Sequence, residues 1–263
     1  MNGASLSDCD LKGLGILVTR PAHQAAGLCD LIEAQGGRAE KFPALEILPP
    51  RDPASARTSL LEARGVLIFV SPNAVNFGLR LLQGSSLPEQ ALLAAVGKGT
   101  ALALREAGYP VDLIPAERFD SEGLLALPEL QQLAGRQVVI VRGDGGRALL
   151  GDTLQQRGAE LVYAEVYRRH CPRGDPADLL YRWDQIVDLV TVTSNEVLRN
   201  LINLLGEVGW RQLKRTPLLV ISQRMQIEAE NLGFETILRA QNASNAAILK
   251  QLCVWAKLYA ERA

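Results

Sequence analysis

The feature that most constrains this chain is that it repeats itself. Ile-Leu-Val-Thr-Arg, ending at Arg20, returns as Val-Val-Ile-Val-Arg ending at Arg142, an offset of 122 residues. Phe-Val-Ser-Pro-Asn-Ala-Val around Asn73 returns as Thr-Val-Thr-Ser-Asn-Glu-Val around Asn195, again at 122. Val96-Gly-Lys-Gly-Thr100 has its counterpart in Ile221-Ser-Gln-Arg-Met225 at 125, and Ser121 opens a helical pattern where Ser244 does, at 123. Four matches in one order at nearly one offset mark a duplication. With 263 residues the chain can fill one large core or two of ordinary domain size, and the duplication selects two.

Within each repeat, short β-branched runs alternate with segments of helical period. Strands are expected at Ile16–Arg20, Val66–Val70, Leu93–Val96, Val111–Ile114, Val138–Arg142, Val187–Val192, Leu218–Ile221 and Thr236–Leu238. Helical patterns follow them, as at Ala25–Gln35, Ala74–Leu82, Thr100–Ala107 and Val197–Leu205. Uniformly apolar strands such as Val-Val-Ile-Val suit a sheet covered on both faces, and repeated β-α-β gives a doubly wound parallel sheet with right-handed crossovers.

A plain tandem would divide the chain near Gly135, but Leu-Ala-Gly-Arg-Gln there is a tight helix-to-strand turn. The linker-like stretches are Phe42–Pro50 and Tyr163–Pro176, extended and bearing prolines or charges, at equivalent places in the two repeats. The chain is therefore expected to cross between lobes twice. Residues 1–41 and 177–263 form one lobe, residues 51–162 the other, and residues 42–50 and 163–176 cross between them as a hinge.

Composition narrows the function. Hydrophobic content is 48%, charge 22% and net charge −1, which is globular and offers no bulk attraction to nucleic acid. No apolar run reaches a membrane span, and the segment Met1–Asp10 is polar and acidic where a signal peptide would be basic, so the expectation is a cytoplasmic protein. Cys9, Cys29, Cys171 and Cys253 are scattered, with no Cys-x-x-Cys and no histidine at ligand spacing. Reduced structural thiols and no metal site follow.

In doubly wound sheets ligands bind at the loops after the strand C-termini. Those loops hold Arg20, Ser71 and Asn73, Gly97 and Thr100, Arg142, Ser194 and Asn195, and Ser222 and Arg224. Small hydroxyls, glycine and occasional arginines at helix N-termini suit carboxylates or phosphates. Taken singly, each Ser, Thr or Asn reads first as a helix cap. Taken as a set facing one cleft, they read as a binding surface.

Other motifs fail. Gly143-Asp-Gly145-Gly-Arg-Ala148, with Glu165 about 20 residues on, is a weak match to a dinucleotide turn, with Asp144 poorly placed near a pyrophosphate. Gly97-Lys-Gly-Thr100 lacks the leading glycine and the residue order of a P-loop. Two histidines, His23 at a helix start and His170 beside Cys171, cannot assemble a triad or a zinc site. Tyr167, in the second crossing segment beside Arg168 and Arg169, is either an ordinary strand aromatic or a proton donor to an anion-rich ligand.

Thr19-Arg20-Pro21, Val70-Ser-Pro-Asn-Ala-Val75, Val96-Gly-x-x-Thr-x-x-Ala-Leu104 and Tyr163-x-x-x-Tyr167, in this order and spacing, resemble the uroporphyrinogen-III synthases over nearly the whole chain, from about Gly13 to Leu252. The resemblance implies two flavodoxin-like lobes joined by a two-stranded linker, and a lyase of porphyrin and haem biosynthesis. It implies hydroxymethylbilane, a linear tetrapyrrole with acetate and propionate arms, bound in the cleft between lobes. Water is lost and the macrocycle closes with the last pyrrole inverted, without a cofactor. It implies a cytoplasmic monomer receiving substrate from the upstream bilane-forming enzyme, with neither nucleic acid nor membrane as partner. The family's hydroxyl and tyrosine sites fall on Ser71, Thr100, Tyr167 and Ser194. Where the family often repeats Gly-x-x-Thr, this chain has Ser222-Gln-Arg-Met225, and Met225 cannot donate a hydrogen bond; Ser222 or Arg224 stands in. The competing reading is a non-enzymatic clamshell that binds a small anion.

Overall fold

The computed structural model describes residues 9–146 and 148–260, without the side chains of Tyr259 and Ala260. Most of the polar N-terminal segment noted above, and Arg147 of the glycine-rich turn, lie outside the described residues. The chain divides into two compact α/β units: residues 1–46 with 170–263, and residues 47–169. It thus passes between units twice, at 46/47 and at 169/170.

The first unit holds β1 (Gly15–Val18), α1 (Ala22–Ala34) and β2 (Arg38–Lys41). After the second unit it resumes with α7 (Ala177–Ile186), β8 (Leu189–Thr191), α8 (Asn195–Arg215), β9 (Leu218–Val220), α9 (Gln223–Asn231), β10 (Ile237–Arg239) and α10 (Asn245–Ala260). Its sheet runs β10-β9-β8-β1-β2, all parallel. Counted along the unit this is the order 2-1-3-4-5, the flavodoxin order, with the topological switch point between β1 and β8.

The second unit holds β3 (Glu46–Leu48), α2 (Pro53–Leu61), β4 (Val66–Phe69), α3 (Pro72–Leu81), β5 (Leu92–Ala95), α4 (Lys98–Glu106), α5 (Ser121–Leu125), β6 (Gln137–Gly143), α6 (Leu149–Gln156) and β7 (Glu160–His170). The sheet order is β3-β7-β6-β4-β5. Here β6 and β7 take the places that β1 and β2 hold in the first unit, while β4 and β5 match β8 and β9. Each unit therefore combines the opening β-α-β of one repeat with the remainder of the other. The duplication offset of 122 carries β1 onto β6 and β4 onto β8, the strands that hold equivalent places in the two sheets.

The apolar strands are explained by two-sided burial. Leu67, Phe69, Val139 and Val141 pack with Leu60, Val75 and Leu104 of α2, α3 and α4. Their neighbours Val66, Ile68, Val138 and Ile140 pack with Leu124, Leu150 and Leu154 of α5 and α6. Alternate residues of one strand serve opposite layers, so no position is left for a polar side chain.

Three expectations need correction. The strand expected at Val111–Ile114 shrinks to a single bridge, Ala94 to Leu113. Pro110 and Pro115 flank it, and proline has no N–H to give to a ladder. The linker expected from Tyr163 is sheet as far as His170, because β7 is an 11-residue strand. The helix expected to end at Leu205 does pause there, at Gly206 with φ 63°, but α8 then continues to Arg215.

The cysteines differ as well. Cys9 and Cys253 form a disulfide across 244 residues of sequence, whereas four reduced thiols were expected. Both pack on the core beneath α1 and α10, which brings together two ends that no sequence spacing relates. Cys29 is a free, buried thiol and Cys171 a free, half-buried one. No described helix is long and apolar enough to cross a membrane.

Candidate functional site

Ser71, Ser194 and Ser222 each occupy the residue before a helix, with extended backbone. Their hydroxyl oxygens accept the N–H of Ala74 (3.1 Å), Val197 (3.1 Å) and Met225 (3.3 Å). The capping reading and the binding reading are thus compatible. A hydroxyl that accepts a backbone N–H still has its own proton to donate to a ligand.

In the second unit Ser71 follows β4, beside the switch point between β4 and β6. A cavity of about 280 Å³ opens at the strand C-termini, lined by Arg142, Gly143, Tyr163, Tyr167, Arg169 and Ser121 among others. The guanidinium of Arg142 lies 3.9 Å from the centre of the Tyr163 ring and 3.2 Å from a Glu165 carboxylate oxygen. Its Nε is buried and has no partner among the described residues. An arginine over the face of an aromatic ring, with an N–H still unsatisfied, has a donor available to an acceptor such as a carboxylate.

Tyr167 is buried, with its hydroxyl 3.5 Å from Ser71 Oγ and its ring 5.6 Å from that of Phe77. The adjacent arginines also bond to backbone carbonyls. Arg168 donates to the carbonyl of Pro49, and Arg169 holds the glycine-rich turn through the Asp144 carbonyl. Asp120 and Ser121 also line the cavity, with Asp120 capping α5 through the N–H of Gly123. That bond, followed by the Arg118 guanidinium, holds the Asp120 carboxyl below the usual range.

The remaining predicted residues have varied placements. Gly97 precedes α4 and Asn73 is the second residue of α3. Thr100, expected to face the ligand, is buried in the first turn of α4, and Met225 is buried at the matching place in α9. The position is a core position in both units, so methionine there fills space without needing a partner. Arg224 is exposed on α9. Arg20 is buried and bonded to the Asn245 side chain and the Ala243 carbonyl, which ties the end of β1 to the start of α10. Burial lowers its pKa. Asn195 has a buried side-chain oxygen with no partner among the described residues.

The larger cavity of the first unit, about 870 Å³, lies elsewhere. Asp188, Thr216 and Pro217 line it, at the opposite ends of β8 and β9 from Ser194 and Ser222. None of the predicted residues lines it, and size alone does not outweigh the chemistry at the carboxyl ends.

Tyr163, Arg169, Asp120 and Ser121 were missed as cavity residues. Tyr163 was legible as half of Tyr-x-x-x-Tyr, and Arg169 only as a neighbour of Tyr167. Asp120 had no signal beyond helix capping. The glycine-rich turn is visible in the sequence only as a weak match to a dinucleotide turn. In the structure Gly143 belongs to β6 and packs against Tyr167, which is not the geometry of a pyrophosphate turn.

Among the described residues no cluster of three or more His, Cys, Asp or Glu could hold a metal ion.

The family model for uroporphyrinogen-III synthase HemD matches residues 27–250. The uroporphyrinogen-III synthase of Salmonella typhimurium is 38% identical over 247 residues, covering 91% of this chain and all of that protein. That of Escherichia coli is 38% identical over 246 residues, with the same coverage. A crystal structure of the Thermus thermophilus enzyme, a mutant form, superposes with a TM-score of 0.63 at 16% identity, over 95% of this chain and 100% of that one. The Helicobacter pylori structure gives 0.58 at 16%, over 94% and 99%. These two show the shared fold, and the matched sequence places the chain in the uroporphyrinogen-III synthase family, as an enzyme of tetrapyrrole biosynthesis.

Proposed function

We propose that this enzyme cyclises hydroxymethylbilane to uroporphyrinogen III, with loss of water and inversion of the last pyrrole, using its own side chains and no cofactor. The observation that carries the reading is Tyr167: a phenol set in a cavity with Arg142, and within reach of the Ser71 hydroxyl. The cavity is too small for a tetrapyrrole and suits one arm-bearing ring. Ser194, Asn195, Ser222 and Arg224 of the first unit are read as donors to further arms. Arg142 takes a carboxylate in this reading, and Arg20 keeps the β1 loop in place.

The terminal carbon–oxygen bond breaks as the pyrrole nitrogen pushes electrons toward it. Tyr167 supplies the proton that lets hydroxide leave as water. The resulting electrophilic carbon is attacked by the substituted α carbon of the last pyrrole, giving a spiro intermediate. The bond from that carbon to its original methylene bridge then breaks, and the freed electrophilic methylene bonds to the pyrrole's other, unsubstituted α carbon, which leaves the ring inverted. The closing carbon finally gives up a proton, which restores the phenol. Each tenfold preference over spontaneous closure to the uninverted isomer requires about 1.4 kcal/mol, which orientation of the two ends can provide.

The test is to supply freshly formed hydroxymethylbilane and identify the porphyrin isomer after oxidation. The type III isomer in excess is expected. Type I alone would sink the reading and leave an anion-binding protein. Exhaustive chelation and desalting should leave turnover intact, and activity restored only by a metal or nucleotide would remove the cofactor-free part.

A further inference from the structure

We propose that Gly143 is a positioning residue for Tyr167: its missing side chain is the space in which the phenolic end of that ring lies. The proposal rests on the reading of Tyr167 as proton donor. Its evidence is independent of that reading. A Cβ built on Gly143 would lie 2.6 Å from Tyr167 Cζ and 2.9 Å from Cδ2, with Cε2 also in conflict; the three nearest atoms all belong to that one ring. Cζ carries the hydroxyl, so the collision falls on the reactive end.

The strand register explains how the ring comes to be there. Arg142 pairs with Glu165, but the next residue, Gly143, pairs with Tyr167, so β7 carries one extra residue at this point. Such a bulge re-aims the side chain that follows it. The extra residue, Val166, enters the apolar core, and Tyr167 reaches both that core and the cavity. Two bonds hold the displaced register. The N–H of Asp144 donates to the Tyr167 carbonyl at 2.9 Å, and the Asp144 carboxylate accepts the N–H of Arg169 at 2.8 Å. Gly143 is not among the glycines with positive φ, so its backbone conformation is open to alanine, and the three atoms nearest to the added methyl are those of the ring.

Gly143→Ala, compared with Tyr167→Phe and the double variant, tests this. Displacing the phenol should lower kcat at least tenfold while KM changes by no more than about threefold, the signature of an interaction made in the transition state. In the Tyr167→Phe background the same alanine should cost thermal stability but add less than about twofold in kcat, since the proton donor is already gone. Carbon-13 labelling of the tyrosine ring should show the Tyr167 resonance shifted in Gly143→Ala. Wild-type kcat in Gly143→Ala, an equal kcat loss in both backgrounds, or an unmoved resonance would each overturn the proposal. Should Gly143→Ala fail to fold, Gly143→Ala with Tyr167→Leu decides the matter. Recovery of folding there supports a clash with the ring, and no recovery overturns it. If Tyr167→Phe keeps full kcat, the proton-donor reading falls and the catalytic meaning of Gly143 falls with it; the resonance then reports separately that the ring was moved.

Discussion

The guanidinium of Arg142 rests on the ring of Tyr163, 3.9 Å from its centre, with the carboxylate of Glu165 3.2 Å from one terminal nitrogen. The stack fixes the arginine's orientation, and the exposed Glu165 is a counter-ion that an arriving carboxylate can replace. Removing the stack should therefore loosen substrate more than it slows chemistry. Tyr163→Leu is expected to raise KM severalfold with kcat nearly unchanged, and Arg142→Ala to raise it about tenfold or more, since charge-assisted bonds are worth about 1.5–3 kcal/mol. Steady-state kinetics on both variants check this, and unchanged KM in Arg142→Ala would remove the arginine from the substrate site.

Tyr167→Phe should lower kcat by at least tenfold, because general-acid help is typically worth about 10²–10⁴-fold. Ser71→Ala and Ser194→Ala should be milder in catalysis, about 1 kcal/mol each and largely in KM. Both also cap helices, so each should lower stability by about 1 kcal/mol in chemical denaturation. Thr100→Ala, at a core position, is expected to affect stability rather than KM.

Residues 43–168 should fold cooperatively as an isolated fragment, because they contain nearly all of the second unit with both layers of its core. A 1–134 fragment should not, since it lacks β6 and β7 and carries β1 and β2 away from their sheet. Denaturant unfolding of the two fragments decides, and the reverse result would favour a tandem boundary.

Under non-reducing conditions the folded chain should offer one reactive thiol, Cys171, while Cys29 stays silent and Cys9 and Cys253 are engaged. Burial raises the Cys171 pKa, with Glu46 adding to it, so its alkylation rate should keep climbing above the pH at which an ordinary thiol levels off. Reduction of the disulfide should cost about 2–4 kcal/mol of stability. Mass spectrometry of alkylated protein, with and without reductant, counts the thiols; two reactive thiols before reduction would contradict the arrangement.

Asp120 has a folded-state pKa below its ordinary value, chiefly through the Gly123 N–H it accepts. Its contribution is therefore present above the ordinary aspartate range near pH 4 and is lost as pH falls through the depressed value. Asp120→Asn should destabilise the protein at neutral pH and less so at acid pH, flattening the acid side of a plot of melting temperature against pH. A uniform shift at all pH values would assign the effect to something other than charge.

Much of this molecule was determined locally, and that part was legible in the sequence. Runs such as Val138–Val141 are apolar at every position because each face of the sheet is covered, which already requires a doubly wound architecture. The duplication at 122 and the hydroxyls before α3, α8 and α9 are also local, since a capping side chain bonds a backbone three residues away. What only the tertiary structure decided are relations between residues remote in sequence. The lodging of Tyr167 against Gly143 depends on a register shift between two strands. The disulfide depends on two chain ends meeting over one core, and the structural employment of Arg20 on a loop 225 residues away. Whether Thr100 and Met225 face ligand or core depends on how each helix is rotated against its sheet. Sequence pattern carries periodicity and short-range bonding; it does not carry which distant backbone leaves room for a ring.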